Sequence, residues 1–577
     1  MKTTPRPLTK LPLFGAVAVL AIFSIQAAVL DSINPPTATA TMSSLLSISP
    51  NIGSTNGGQL VTITGEDLPL TNPHWTQISS SLLRTCALDT AGQIFCWGAD
   101  GLMGGDRSLR SFSGGGAWWS SIPVAVDMTG ALADRTIVQV STGAAHACAL
   151  DSEGLAFCWG DGGHGQLGND IYYYSDTPVA VDTSGVLDGR TLTQISTAYH
   201  HTCAIDSEGL AFCWGHGWMG ELGNGLSWED GFWSSGAPVA VDTSGVLDGL
   251  TLTQISSGGN HTCAIDSAGL AFCWGFGSLG GLGNGLSLED NFLHSDIPVA
   301  VDTSGVLDGR TLTQISAGGH YTCAIDSEGL AFCWGFGDTG QLGNGLSGED
   351  SFEYSSIPVA VDTSGVLADR TLTQISSVVM HTCAVDTEGL AFCWGYGDPG
   401  QLGNGLSWED GFWGSSVPVA ANMSGALNNR TLTQVASGGL HTCAIDSAGL
   451  AFCWGSGSDG QLGNGLSWGD GFFGSSVPVP VYMSHILSTS QISAIHLGTA
   501  PCINVNTLSS TTLTCITTAH PAGIVDLVVT LSDNNTPINI TTLTLPQAYT
   551  FVESSLPGTT PDSTPNVPNT GHFRVAS

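Results

Sequence analysis

Three residue types in this chain could do chemistry, and all three recur at a fixed interval. His146, His201, His261, His381 and His441 stand beside a cysteine, at the same place in successive copies of one phrase. Ser and Asp are plentiful, so an imidazole here could serve as the general base of a Ser–His–Asp set. Recurrence argues against it. A residue needed once for catalysis would not return in most copies, whereas one needed for packing or turn hydrogen bonding would. Asp206, Trp214 and their copies follow the same logic and read as structural residues. The chain has no G-x-S-x-G elbow, phosphate loop or H-E-x-x-H. No catalytic residue and no cofactor is expected.

The paired acids Glu229-Asp230, Glu289-Asp290, Glu349-Asp350 and Glu409-Asp410 offer oxygen ligands of the kind Ca²⁺ takes. Their spacing follows no calcium loop, and adjacent side chains diverge on a strand. They read as solvated loop charge, and no metal is expected. The cysteines pair at ten residues: Cys86 with Cys96, Cys148 with Cys158, Cys203 with Cys213, Cys263 with Cys273, Cys323 with Cys333, Cys383 with Cys393 and Cys443 with Cys453. The intervening Asp206-Ser207-Glu208-Gly209 fits a type I turn with Gly in the left-handed position. Folding about that turn sets the two cysteines opposite one another on antiparallel strands, within disulfide reach. Fourteen such residues in an exported chain read as a disulfide framework. Seven pairs of free buried thiols remain the alternative. Zinc fits less well, because two thiolates per copy make no four-ligand set.

The elements that position these residues follow from the repeat. The phrase Thr-Cys-Ala-Ile-Asp-Ser-Glu-Gly-Leu-Ala-Phe-Cys-Trp-Gly begins at Thr202, with variants from Thr85, Ala147, Thr262, Thr322, Thr382 and Thr442. That makes seven copies, and the period settles at 60 residues. A strand candidate precedes each hairpin (Leu192 to Ser196) and another follows it (Pro238 to Asp242). Four short strands per copy, seven copies and no helical periodicity predict an all-β, seven-bladed β-propeller. A flat solenoid would need distinct end caps, and none is visible.

Composition sets the outer limits. The chain has 577 residues, 78 of them Gly, with 10% charged and 42% hydrophobic residues, enough for a packed core. Its formal charge is 12 − 48 = −36. Lys2, Arg6 and Lys10 account for both lysines and one arginine, so nine Arg face 48 carboxylates beyond them. Nucleic acid is excluded as a partner, because phosphate binding needs Lys/Arg clusters, and an anionic membrane surface is disfavoured on the same ground. The basic start, the apolar run Leu11 to Ala28 and the small residues Ala27 and Ala28 read as a signal peptide over 1–28. The run continues to Leu30, so an uncleaved anchor stays open. A secreted or cell-surface protein is expected, with no membrane contact beyond that signal or anchor.

The unit from Gln254 through Gly258-Gly259-Asn260-His261-Thr262-Cys263, on to Trp274-Gly275 and Gly283-Asn284-Gly285, resembles the regulator of chromosome condensation repeat. Gln-Leu-Gly-Asn-Gly at 341–345, 401–405 and 461–465 strengthens the likeness, which covers about residues 75–485. The resemblance implies a seven-bladed ring. It leaves function open, since such propellers serve nucleotide exchange on a small GTPase, ubiquitin ligases and bacterial secreted binders. Guanine-nucleotide exchange rests on the family alone and sits poorly with an export signal and few basic residues. Residues 45–69 and 492–552 resemble the two halves of an immunoglobulin-like IPT/TIG domain. The propeller is then an insertion in a surface loop of that sandwich. Cys502 and Cys515 are expected to pair within its second half. The Pro/Thr-rich tail 553–577 reads as disordered. Within it, Val567-Pro568-Asn569-Thr570-Gly571 resembles a sortase-type sorting motif without the apolar and basic segments that should follow.

Binding should sit where the copies differ. One variable place is the loop between strands one and two, such as Ala198-Tyr199-His200. The other is the long loop between strands three and four, carrying Trp118, Trp119, Tyr172, Tyr173, Trp228, Phe232, Trp233, Phe292, Phe352, Tyr354, Trp408, Phe412, Trp413, Trp468 and Phe472. In an up-and-down blade both loops emerge on one face. That face is expected to bind a protein partner through aromatic side chains interleaved with Asp and Glu. A carbohydrate or cell-wall ligand is the alternative, because stacking surfaces also suit sugars. Aromatics that merely pack the long loops onto the blade tops are the third reading.

Overall fold

The computed structural model describes residues 74–99 and 118–481, the short strand Ser111–Phe112, and the strand backbones between 44 and 66 and between 492 and 552. The leader over 1–28, the tail 553–577 with its Val567–Gly571 motif, and the side chains of Trp118, Cys502 and Cys515 lie outside the described residues.

Seven antiparallel sheets carry the repeat, each built from consecutive chain. Blade 3 is typical: Leu192–Thr197, His201–Asp206, Ala211–His216 and Ser234–Ala240. Its second strand alternates Ala204 with Cys203 and Ile205, and its third Phe212 and Trp214 with Ala211 and Cys213, so both faces of this central hairpin are largely apolar and buried. This suits a sheet packed between two others. The hydrophobic cores accordingly lie between blades. Cys203, Ile205, Cys213 and Leu222 of blade 3 pack on Ile255, Ala264, Phe272 and Trp274 of blade 4.

In every copy the two cysteines are direct cross-strand partners, as in Cys203↔Cys213. All seven expected pairs are disulfides and none is a pair of free thiols. Cys86 is bonded to Cys96, Cys148 to Cys158, Cys203 to Cys213 and Cys263 to Cys273. Cys323 is bonded to Cys333, Cys383 to Cys393 and Cys443 to Cys453. The Cα atoms stand 4.0–4.1 Å apart in each pair. Each disulfide is a piece of core, sealed against the next blade.

The first strands lie side by side around the ring, and polar side chains tie them. Gln139 Oε1 accepts the Ile195 N–H at 2.9 Å, Gln194 that of Ile255, and Gln254 that of Ile315. Gln434 of blade 7 accepts the N–H of Ile78 in blade 1, which closes the circle. Blade 1 needs no strand borrowed from the far end of the chain.

The immunoglobulin-like domain is split by the propeller. Leu60–Glu66 pairs with Thr512–Thr517, and Ile52–Ser54 runs parallel to the end of Ile540–Val552. Chain from before and after the ring thus shares its sheets, whose two halves join through Ile492–Leu497 and Ala500–Ser509. The backbone sets Cys502 opposite Thr517 and Cys515 opposite Val61.

The Glu-Asp pairs lie in the loops between strands three and four. Each occupies a single 3₁₀ turn, Trp228–Asp230 in blade 3. Asp230 Oδ2 accepts the Ser227 N–H at 3.3 Å, and Gly231 closes the turn at φ 75°. The short span between Ser and an αL residue leaves room for one turn and no strand. The Asp is therefore a cap, and only the Glu is free solvated charge.

Candidate protein-binding face

The ring has one constant rim and one variable rim, and the chemistry of each can be built from its residues. On the first, the buried Asp206 accepts the N–H groups of Glu208 and Leu210, both at 2.9 Å, and so fixes the strand 2–3 turn. Arg190 donates to Asp206 at 2.6 Å and to the exposed Glu208 at 2.8 Å, with its guanidinium over the Phe212 ring. Arg135, Arg310, Arg370 and Arg430 do the same for their own turn Asp, and all but Arg430 also reach a turn Glu. Five of the few arginines are thus spent on one rim. Elsewhere among the described residues Arg84 alone remains, and it donates to the Ala144 carbonyl at 2.6 Å. The carboxylates of the other rim therefore meet little positive charge.

The recurrent histidines hold blades together. His146, His201, His261, His381 and His441 bond through Nε2 to the threonine hydroxyl of the following blade at 2.7–2.9 Å: Thr202, Thr262, Thr322, Thr442 and Thr85. Tyr321 fills the same place in blade 5, donating to the His381 carbonyl at 2.6 Å. Burial in the blade interface pushes His201, His261, His381 and His441 down to about 3, and His146 well below its ordinary value. A charged imidazole has no carboxylate there to offset its desolvation. These rings are neutral struts.

The variable rim is made of 3–4 loops that each lean on the next blade. Trp274 Nε1 donates to the Glu221 carbonyl at 2.9 Å, and Gly225 N–H to Asp296 O at 2.9 Å. Gly223 is required at this seam: at φ +65° a Cβ would lie 2.8 Å from the Trp274 indole nitrogen. Trp97, Trp214, Trp334, Trp394 and Trp454 anchor the corresponding loops in the same way. The rim is pre-formed.

The aromatic residues divide on it. Phe232, Phe292, Phe352, Phe412 and Phe472 are half-buried; all five pack on the interblade cores and lie over the glycine that follows strand three. They hold the loops down and offer little free area. Tyr354 is half-buried and reaches Ser287 of the neighbouring loop at 3.3 Å, and Trp119 lies half-buried within its strand. Tyr172, Tyr173, Trp228, Trp233, Trp408, Trp413 and Trp468 are exposed, Trp233, Trp413 and Trp468 to 62, 65 and 70%. Phe473 and Trp218 join them, the latter stacked on Trp233 at 5.4 Å between ring centres. Their neighbours Glu229, Glu289, Glu349 and Glu409 are exposed as well. The outcome is an acidic rim with solvent-facing indoles, two of them stacked.

Comparison with known proteins fits this architecture. Models of the "Regulator of chromosome condensation (RCC1) repeat" match residues 137–166, 252–280, 312–341 and 432–461, and again 153–205, 268–325, 328–385 and 388–445. The propeller is a ring of regulator of chromosome condensation repeats. The IPT/TIG domain model matches 43–82 and 468–545, on either side of that ring. The ultraviolet-B receptor UVR8 of Arabidopsis thaliana is 29% identical over 395 residues, 68% of this chain and 79% of its own length. The human E3 ubiquitin-protein ligase HERC2 is 28% identical over 54% of this chain, which spans 6% of that much longer protein. Among solved structures, human WBSCR16 matches with a TM-score of 0.56 at 20% identity, covering 74% of this chain and 99% of its own. Prp20p of Saccharomyces cerevisiae matches with a TM-score of 0.55 at 19% identity, covering 75% and 93%. Both carry the fold.

Sequence reasoning passed over one group on the variable rim. His164, His200 and His216 meet at the junction of blades 2 and 3, beside Glu221 and Trp218. His164 and His200 lie in loops singled out as variable, but neither residue was itself singled out, and His216 ends a strand. Glu221 stands where the corresponding loops carry Gln166, Gln341, Gln401 and Gln461, and that departure from the repeat is the signal that could have found the cluster.

Proposed function

We propose that this chain is an exported, non-catalytic binding protein whose variable propeller rim takes a protein partner. The observation that carries this reading is the set of exposed indoles at Trp228, Trp233, Trp408, Trp413 and Trp468, mounted at capped turns, the first four beside the exposed Glu229 and Glu409. Large rigid aromatic side chains on a pre-formed scaffold give contact area at low entropic cost. Seven buried disulfides support an oxidising compartment, since such bonds persist outside the cytosol. The Prp20p structure is described with its binding to Gsp1p and histones, so rings of this repeat do bind proteins. An acidic rim calls for a partner with a basic or neutral surface.

Photo-crosslinking tests the reading. A crosslinking residue placed at Trp233 or Trp413 is expected to capture a partner of defined mass from the native extracellular medium or cell surface. The same residue at Val246 or Val366, on the opposite rim, is expected to capture none. Equal capture from both rims would overturn the assignment of the face. Binding of the unmodified protein to a purified glycan, lost in W233A/W413A, would replace the protein partner by a carbohydrate.

A further inference from the structure

The one place among the described residues where imidazoles gather outside the girdle is the junction of blades 2 and 3. His164 lies in the 3–4 loop of blade 2, His200 in the 1–2 loop of blade 3, and His216 at the end of the third strand of blade 3. Their ring centres are 5.1 Å (164 to 200), 5.1 Å (164 to 216) and 6.3 Å (200 to 216) apart. Glu221, fully buried, accepts from or shares a proton with His216 Nδ1 at 3.0 Å. His200 Nδ1 is buried without a hydrogen-bond partner. His164 is exposed and the other two are half-exposed, so the cluster opens to solvent on the variable rim.

Packing does not require this arrangement. The position of His200 is filled elsewhere by Ala145, Asn260, Met380 and Leu440, and that of His216 by Asp161, Phe276, Phe336, Tyr396 and Ser456. Where a histidine does recur, at His320, it faces Phe276 at 5.2 Å and gathers no second imidazole. Glu221 Oε2 accepts the Met219 N–H at 2.8 Å, the loop-closing bond that Gln341 makes to Thr339 and Gln461 to Asp459, but its second oxygen faces His216 Nδ1 and carries a charge that this bond does not need. Three imidazoles and a buried carboxylate thus depart from the repeat at one junction and converge there.

We propose that His164, His200 and His216 bind a divalent transition-metal ion of the Zn²⁺, Ni²⁺, Cu²⁺ group, with Glu221 as the carboxylate that orients His216. Imidazole nitrogen suits these ions, and a carboxylate on the second ring nitrogen is the usual support of a ligating histidine. Metal–nitrogen bonds of about 2.0–2.1 Å put the ring centres of a tetrahedral set about 5.2 Å apart. Two of the three observed separations match that spacing. The side chains are not already set: among the described residues no three His, Cys, Asp or Glu groups hold their donors in ligating positions. Ligation needs ring rotation, which the exposed His164 and the unpartnered His200 Nδ1 leave free. With three protein nitrogens, a fourth position stays open beside the Trp218–Trp233 stack.

The test uses the full chain after chelator treatment and dialysis. Co²⁺ is titrated in and followed by its visible absorption, then displaced by Zn²⁺, with calorimetry giving the stoichiometry. The expected result is one ion per chain, visible bands of a nitrogen-ligated four- or five-coordinate Co²⁺, and loss of both in H164A and in H200A. E221Q should weaken binding by about 10–100-fold, the usual effect of removing such a support. H320A should bind like the parent. His164 is exposed, so H164A keeps the fold, which thermal unfolding verifies. A Co²⁺ spectrum that stays that of the aqueous ion would overturn the proposal, and so would binding unchanged in H164A.

Discussion

Lowering the pH from 7 to 5 should strip this propeller of much of its stability, through histidines and not carboxylates. Four girdle imidazoles, His201, His261, His381 and His441, are held at about 3 in the folded chain by burial. In the unfolded chain they return to about 6.5. Folded values lie below unfolded ones, so the unfolded chain binds the extra protons and stability is lost as the pH falls below about 6.5, down to about 3. At pH 5 an unfolded imidazole is almost fully protonated while the folded one is not. Each histidine then costs about 2 kcal/mol relative to pH 7, and the four together about 8 kcal/mol, an order-of-magnitude figure comparable to the whole stability of a typical domain. His146 acts in the same direction. Asp127, Asp182, Asp242, Asp302 and Asp362 lie below the ordinary carboxylate value through hydrogen bonds to Thr129, Ser184, Ser244, Ser304 and Ser364, so their contribution is lost only below about pH 4. The window from 6.5 to 5 belongs to the imidazoles.

Urea unfolding of the oxidised protein at half-unit steps from pH 7.5 to 4.5 would measure this slope. Between pH 6 and 5 it should approach about 1.4 kcal/mol per pH unit for each girdle histidine, about 5–6 kcal/mol per unit for four. H201Q removes one titrating ring and should lower the slope by about 1.4 kcal/mol per unit, whatever it does to stability at pH 7. A midpoint that does not move between pH 7 and 5, or an H201Q slope equal to that of the parent, would refute the neutral-strut account.

Other expectations follow from single contacts. Iodoacetamide should label none of the fourteen propeller cysteines without reductant, read as mass; C203S/C213S should cost about 2–3 kcal/mol in urea unfolding, because the bond closes a loop of about ten residues. G223A forces a Cβ within 2.8 Å of the Trp274 indole at φ +65° and should cost at least about 1–3 kcal/mol. T262V leaves the buried His201 Nε2 without its 2.8 Å partner and should destabilise by about 1–3 kcal/mol, whereas T253V, at an exposed position on the same blade, should cost far less. W233A/W413A/W468A removes only exposed rings and should leave the thermal midpoint within about a degree or two while abolishing partner capture.

The ring was legible because its determinants repeat. A turn Asp, a flanking Gly and cysteines ten residues apart recur seven times, and the backbone can satisfy that pattern only as a hairpin, Cys203 against Cys213. The girdle role of His201 was legible from recurrence alone, though its partner Thr262 was not: the two meet across blades, and nothing local in sequence joins positions 61 apart. The same limit hid the loop aromatics' division of labour. Phe232 and Trp233 are adjacent and equally apolar, yet Phe232 closes over Gly217 while Trp233 points to water, a difference set by the 3₁₀ turn that Asp230 caps. Reading the Glu-Asp pairs as plain loop charge missed the capping role of the Asp for that reason too. A cap is visible in sequence only when the turn it closes is already known.

Symmetry itself locates function in such a ring. Near-identical junctions are each solved by the same bonds: Gln to backbone N–H, His to Thr, indole to carbonyl. A substitution that keeps the bond, such as Tyr321 for His, is a variation on packing. A substitution that adds polar groups no junction needs is of another kind. Leu250 in place of Arg190 removes an ion pair from blade 4, and the ring tolerates it. Glu221 in place of Gln buries a carboxylate that the loops carrying Gln or Gly there manage without, and burying such a group costs free energy unless it is used. One oxygen closes the loop on the Met219 N–H, as the glutamines do; the other faces His216, and His216 stands among two more imidazoles on the rim that carries the exposed indoles. The junction of blades 2 and 3 therefore gives an otherwise repetitive rim a unique orientation: a partner that engages the Trp218–Trp233 stack also meets the histidine cluster, and no rotated docking offers both.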